Sequence, residues 1–498
     1  MYSEINTEQL KLPGQYSLSD VVLVSYQASG GSTNPKRISI RSLVTEINIY
    51  ESLDNKCLSG NIVVTDAQNI PNHLPLTGLE RVEFKLFTPG TSRAFDFTPE
   101  SGHPMHVYQI SDRQGLNPRT QLYVLHFCSK EMITNEQVRV NRPFTNSIDG
   151  MVLSVVRDDL KSKKPLIVEE TKGVRKYTIP RSRPFEVINE FSKEAESLRY
   201  NNAGMIFYES SIGFNFRSYE SMLAVSGVSA KPVVAKFLSV PANIRDEKGN
   251  KNIVRDMQIC ESFTVNHQYD TLKNLRNGVF NSRVVSHDLY NKTFKETDFD
   301  YLTEYEKSFH TEHDGQGNKV DGKGILPFVN FDQGKTLSDN PEGTLYFVST
   351  TENVHTGFEQ APQESILGKR VSQKLAFETM TLSLNCHGFT GLSVGELISF
   401  EMPSFEPSGM DNPLDIDPFM SGRYLVKSIR HQIKTLDDKH RMVVDCIKDS
   451  VMTPYVEENT DTFTGRENTE NDINVLVDQL DETTLEETNI GGGSKVFG

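Results

Sequence analysis

Residues 317–324, Gly317-Asn318-Lys319-Val320-Asp321-Gly322-Lys323-Gly324, carry the glycines and the lysine of a phosphate-cradling loop, in which backbone N–H groups and an ammonium hold phosphate oxygens. The stretch departs from that loop at one residue, with Gly324 where a Ser or Thr should hold Mg2+, and it follows the polar segment 308–315 instead of an apolar strand, so nucleotide binding is not expected. Asp314, Gln316 and Asn318 imitate the first ligands of a calcium loop, yet Ile325 stands where the bidentate acid belongs. His310, His313 and Asp314 offer three metal-type ligands at generic spacing, without the glutamate of an H-E-x-x-H helix. A solvated loop is the expectation there, with no metal and no cofactor. His103 and His106 bracket Pro104 and Met105 near a strand start, while His126 alternates with core-type residues and reads as structural.

Nucleophilic chemistry is no better marked. Cys57, Cys128, Cys260, Cys386 and Cys446 lie far apart, never at C-x-x-C spacing. They read as small hydrophobes in a reducing compartment. A carboxylate pair for glycoside or cell-wall hydrolysis would meet only in three dimensions, so a tail-associated hydrolase stays open as the alternative function. A sugar-binding β protein is disfavoured because the chain has no Trp to offer as a stacking face.

A formal charge of −15 argues against nucleic-acid recognition by phosphate neutralisation. The 498 residues suggest about three domains. The first residues lack the basic start and apolar stretch of a signal peptide, so export by that route is not expected, and no run of about 18 apolar residues predicts membrane insertion.

Period-two alternation dominates the first 130 residues. It is clearest in Arg81-Val82-Glu83-Phe84-Lys85-Leu86, which predicts one half-buried strand, with others at 21–26, 37–50, 60–66, 106–110 and 120–127. Ile148, Met151, Val152, Val155, Val156 and Leu160 then recur at helical spacing behind Thr145-Asn146-Ser147. A second helix follows Pro184, with Phe185, Ile188, Phe191, Ala195 and Leu198 on one face, and leads into a hairpin of 205–208 and 214–218. Residues 285–355 read as a polar insertion. A helix through Ile366, Arg370, Val371 and Leu375 precedes renewed alternation at 380–386, 397–402, 424–433 and 440–447.

The fold class expected is therefore mainly β with helical insertions (α+β): two similar antiparallel β-barrel domains and a mixed middle region. The domains run 1–135 (first barrel), 136–285 (helix-containing middle), 286–356 (polar insertion), 357–452 (helix and second barrel) and 453–498 (acidic tail). An internal echo supports the duplication, since Gly78-Leu79-Glu80-Arg81-Val82-Glu83-Phe84 is matched by Gly395-Glu396-Leu397-Ile398-Ser399-Phe400, each followed by a loop and two strands. In the tail, residues 455–488 hold eleven carboxylates and one Arg. Within them Ile473, Leu476, Val477 and Leu480 fall at i, i+3, i+4 and i+7, a pattern suited to a helix that docks in a partner's groove.

The stretches Leu382-Ser383-Leu384-Asn385-Cys386-His387-Gly388, Leu392-Ser393-Val394-Gly395-Glu396-Leu397-Ile398, Tyr424-Leu425-Val426-Lys427-Ser428-Ile429-Arg430-His431 and Met442-Val443-Val444-Asp445-Cys446 resemble the last barrel of phage tail hub proteins. The same pattern is similar to the hub part of type VI secretion spike proteins. Arg142-Pro143-Phe144, the Pro184-Phe185 helix, Phe207-Tyr208-Glu209 and Gly213-Phe214-Asn215-Phe216-Arg217 resemble the middle of the T-even-like baseplate hub. The likeness covers roughly residues 20–285 and 360–452. It implies a non-enzymatic homotrimer in a contractile phage tail, assembled in the host cytoplasm. Two barrels per chain would adapt a six-fold tube to a three-fold spike around a channel for tape measure and DNA. The implied partners are the spike on one face, tube or tube-initiator proteins on the other, and wedge proteins, without sequence-specific nucleic-acid binding.

Overall fold

The computed structural model describes residues 10–27, 34–224, 230–239, 253–288, 291–305, 307–312, 330–332, 334–350, 363–403, 416–417 and 419–451. All lie in Met1–Pro454, one of two units into which the chain divides. The architecture is mainly β with antiparallel sheets and several helices. Among the described residues, thirteen strands form one sheet: β1 (Val22–Ser25), β2 (Lys36–Ser39), β3 (Val44–Ser52), β4 (Ser59–Asp66), β5 (Arg81–Glu83), β6 (Met105–Asn117), β7 (Thr120–Ser129), β8 (Ala235–Leu238), β9 (Cys260–Gln268), β10 (Met380–His387), β11 (Leu397–Glu401), β12 (Gly422–Lys434) and β13 (Lys439–Lys448). Their order is β9-β10-β13-β12-β3-β4-β7-β6-β5-β1-β2, with β11 also paired to β12 and β8 to β11.

Alternation in β4 and β10 places every second residue in a core, as the period of two demands. One core gathers Ile47, Ile49, Ile62, Val64, Phe84, Phe95 and Phe127. A second gathers Phe237, Leu382, Leu384, Phe400, Tyr424 and Val444. Each such side chain contributes about 1.5–3 kcal/mol by leaving water. The middle region has a third core, where helix Pro184–Glu194 lays Phe185, Ile188 and Phe191 on Phe207, Phe214 and Phe216. At the start of that helix the Glu186 carboxylate accepts the Arg183 N–H, satisfying one of the donors that a helix terminus leaves open.

Four local expectations change. The alternating run 81–86 is split: the chain leaves the large sheet at Phe84, whose ring packs edge-on against Phe97 and Phe127, and Lys85–Phe87 joins a small sheet with Ser17–Leu18 and Ala94–Asp96. The second helix stops at Glu194, so Leu198 is exposed, because residues 196–198 bond back to 170–172 instead. The first helix, Ile148–Ser154, passes into a π turn over Val155–Asp159. Within the polar stretch 285–355, Thr293–Asp300 and Leu345–Thr350 are strands flanking Asn281–Asp288. Main-chain pairing forms that sheet without the apolar alternation that would announce it.

Candidate functional site

Two runs of the large sheet are equivalent. The order β3-β4-β7-β6-β5-β1 repeats as β9-β10-β13-β12-β11-β8. Irregularities repeat with it. Tyr108 is the extra residue of a bulge in β6 and Lys427 the extra residue at the same place in β12. Thr45 in β3 is matched in the same way by Glu261 in β9. Paired bulk is traded across the copies, for Phe127 faces Gly60 where Cys446 faces Leu382. The last strands differ, β1 running antiparallel to β5 but β8 parallel to β11.

The echo around residues 78 and 395 is part of this repeat, with its anchor moved. The Glu80 carboxylate accepts the Thr77 N–H at 2.8 Å, and Glu396 accepts the Ser393 N–H at 2.9 Å. Their carbonyls receive the Val107 and Val426 N–H groups at 2.8 and 2.9 Å. The glutamates therefore align, and Gly78 and Gly395, with φ of 81° and 77°, fall one residue apart in that register. β8 and β9, which lie within 136–285, complete the second copy.

The copies meet where β12 pairs with β3, from Ser428 opposite Ser52 to Lys434 opposite Glu46. Ile47, Ile49 and Ile433 are fully buried there. Asn48 donates to Glu46 and Asn61 at 2.8 Å and accepts from Arg430 at 3.0 Å, while Gln432 donates to Glu46 at 3.0 Å. Beside the strands, Thr88 and Thr390 exchange backbone-to-hydroxyl hydrogen bonds, and Arg93 meets Glu396 at 2.6 Å. Glu51 is buried, accepting from the Ser393 hydroxyl and the Val394 N–H, and burial pushes its carboxyl up to about 8. His431 Nδ1 lies 3.1 Å from His440 Nε2, with the Phe95 ring against His431. Burial holds His440 down at about 3 and His431 well below its ordinary range, so both rings are neutral.

The residues singled out for chemistry fall elsewhere. His310 contacts Asp449 at 2.8 Å through Nδ1 and the Tyr305 carbonyl at 2.9 Å through Nε2, leaving no ring nitrogen to act as a base. Burial raises the Asp449 carboxyl, but His310 and the Thr311 N–H and hydroxyl outweigh it and hold the acid below the usual range. His126 bonds the Ser111 hydroxyl at 2.8 Å, and burial, with Arg81 adding to it, lowers His106 to about 4. All five cysteines are free and buried. His313, the 317–324 loop and Ile473, Leu476, Val477 and Leu480 lie outside the described residues. No cluster of three metal-type ligands occurs among the described residues, and no described helix is long and apolar enough to cross a membrane.

Two buried ion clusters tie elements together. Lys448 reaches Glu312 at 3.1 Å and the Ser421 carbonyl at 2.7 Å. Lys164 bridges Glu131 at 2.9 Å and Glu209 at 2.5 Å, and Glu209 also accepts the Leu58 N–H, fastening the middle region to the first copy. Sequence reasoning passed over Glu51, His431 and His440. The available signal was parity: His431 stands in phase with buried Ile429 and Ile433, and His440 with buried Met442 and Val444.

No family model matches the chain, and no curated protein matches it. Its structure is similar to a tail protein from Neisseria meningitidis at 11% identity and a TM-score of 0.45, covering 87% of this chain and 97% of that one. It is also similar to the 43 kDa tail protein of prophage MuSo2 from Shewanella oneidensis, at 10% identity and a TM-score of 0.47, covering 87% and 99%. A third likeness is to an Escherichia coli component of the type VI secretion system, at 8% identity and a TM-score of 0.35, covering 83% and 74%.

Proposed function

We propose that this chain is a structural virion protein, the central hub of a contractile phage tail baseplate, acting as a homotrimeric ring between a six-fold tube and a three-fold spike. The observation that carries the reading is the duplicated sheet with its repeated bulges: three chains, each with two equivalent copies, present six nearly equivalent units while keeping a true three-fold axis. The motif order that resembles tail hubs points the same way, as does an acidic chain that would not trap a passing polyanion. The buried carboxylates around Lys164 and Lys448 are paired with those cations, which suits a scaffold. In this reading the spike binds one face and tube or tube-initiator proteins the other, wedge proteins are further partners, and Ile473, Leu476, Val477 and Leu480 form the apolar face of a docking helix.

Light scattering on the chain co-expressed with its spike tests the proposal. A hub portion of three times the 56.2 kDa chain mass is expected. A monomer in the presence of spike would refute it.

A further inference from the structure

The seam that joins the two copies within one chain has a counterpart in two open edges of the sheet, β9 and the outer half of β6. β12 contributes residues 428–434 to that seam and β3 contributes 46–52. By the repeat, the equivalent of this part of β12 is the outer half of β6, and the equivalent of β3 is β9. Among the described strands, β9 pairs only with β10, and residues 109–117 of β6 pair only with β7. We infer that these two edges are a matched pair: Ile110–Gly115 of one protomer adds antiparallel to Phe263–Gln268 of a second copy, with Ile110 opposite Gln268, Asp112 opposite Asn266 and Gly115 opposite Phe263. The inference rests on the trimeric hub reading and gives it a defined joint.

Four observations carry it. First, each edge has an irregularity that its counterpart in the seam lacks. Asp112, with φ of 54°, is an extra residue in β6, where β12 has none between Arg430 and His431; Asn266 is an extra residue in β9, where β3 has none between Ile49 and Tyr50. Transferring the seam register through the repeat sets these two extra residues opposite each other. Two bulges that would each break a ladder against a regular strand therefore cancel, and the register runs unbroken. Second, Val265 is 38% exposed although it occupies the place of Ile49, which is 0% exposed in the seam. Tyr108 and Leu116, at 50% and 56%, leave the β6 edge similarly wet. Third, where the seam sets Ile433 against Ile47, the open edges would set Gly115 against Phe263, a glycine–phenylalanine pairing that the sheet already makes between Gly60 and Phe127. Fourth, an edge strand with unpaired N–H and C=O groups is a template for another strand, and the seam is the pairing this sheet already makes.

The test is a disulfide across the joint in the full-length protein. Directly opposed residues of an antiparallel pair lie about 4.5–5.5 Å apart at Cα, within disulfide reach. Gln114, the counterpart of Gln432, should face Thr264, the counterpart of Asn48, and both are exposed. Mild oxidation of the Gln114→Cys/Thr264→Cys variant should give covalent dimers and trimers on a non-reducing denaturing gel. Each single variant should give none, and Gln114→Cys/Val265→Cys should give about tenfold less, because adjacent residues point to opposite faces. Thermal melts matched to the parent exclude misfolding as the reason for a missing cross-link. A three-fold particle without the cross-link overturns this joint and leaves the hub reading standing. The cross-link in a particle that is not three-fold supports the joint and overturns the trimer. A monomer without the cross-link overturns the joint.

Discussion

Acid should loosen the seam between the two copies through its histidine pair. His431 and His440 are both fully buried and share one hydrogen bond, in which the accepting nitrogen must be unprotonated, and burial disfavours charge on either ring. Burial places His440 at about 3 in the fold, against 6.5 for an ordinary imidazole. A base whose pKa falls on folding contributes its full stabilisation above the unfolded value. It loses that contribution as the pH drops from about 6.5 towards the folded value, because the unfolded chain takes up the proton first. At 1.36 kcal/mol per pKa unit, His440 alone should cost about 2.5 kcal/mol between pH 6 and pH 4. The assay is urea unfolding across that range. Far-UV circular dichroism is the suitable probe, since the chain has no Trp to report by fluorescence. The His440→Gln variant, which does not titrate there, should lose about 2.5 kcal/mol less than the parent over the same interval. Parallel pH profiles for parent and variant would refute the argument.

Glu51 should act in the opposite direction. Its folded value of about 8 lies above the unfolded one, so its stabilisation is complete in acid and lost as pH rises towards 8, and Glu51→Gln should gain about 3.5 kcal/mol on the parent between pH 5 and pH 8 in the same unfolding assay. Lys448→Met leaves the Glu312 carboxylate buried without its cation and should cost about 3–5 kcal/mol by chemical denaturation, with part recovered in Lys448→Met/Glu312→Leu. Arg93→Ala removes bonds to Glu396 and the Gly391 carbonyl that bridge the two copies, and should cost about 1–3 kcal/mol, read as a lowered melting temperature. Deleting residues 455–498 should leave the melting temperature of the remainder unchanged and weaken binding to one tail component, measured by calorimetry; unchanged affinity with every component would remove the docking helix.

Much of the fold was legible wherever one face of a strand is buried and the other wet. The alternation of β4, β10 and β13 names their inward residues correctly, as does the helical spacing of Phe185, Ile188 and Phe191. Thr293–Asp300 and the outer half of β6 were not legible, because main-chain pairing holds them and their side chains are polar and largely exposed. The duplication was visible at 78–84 and 395–400, but the eye anchors on glycine, whereas the fold anchors on the glutamates that cap the turn. The seam stayed hidden for a different reason. Residues 46–52 and 428–434 lie at opposite ends of the chain, and no local pattern announces that His431 will face Ile49.

The central claim is that two equivalent copies per chain build a ring with six-fold character on a three-fold frame. End-on electron microscopy averages of the chain co-expressed with the proposed spike test it most directly. The account predicts a ring with a central hole whose rotational power is strong at order six and still significant at order three. A particle with no six-fold component, or one with a single sheet unit per chain around its axis, would contradict it.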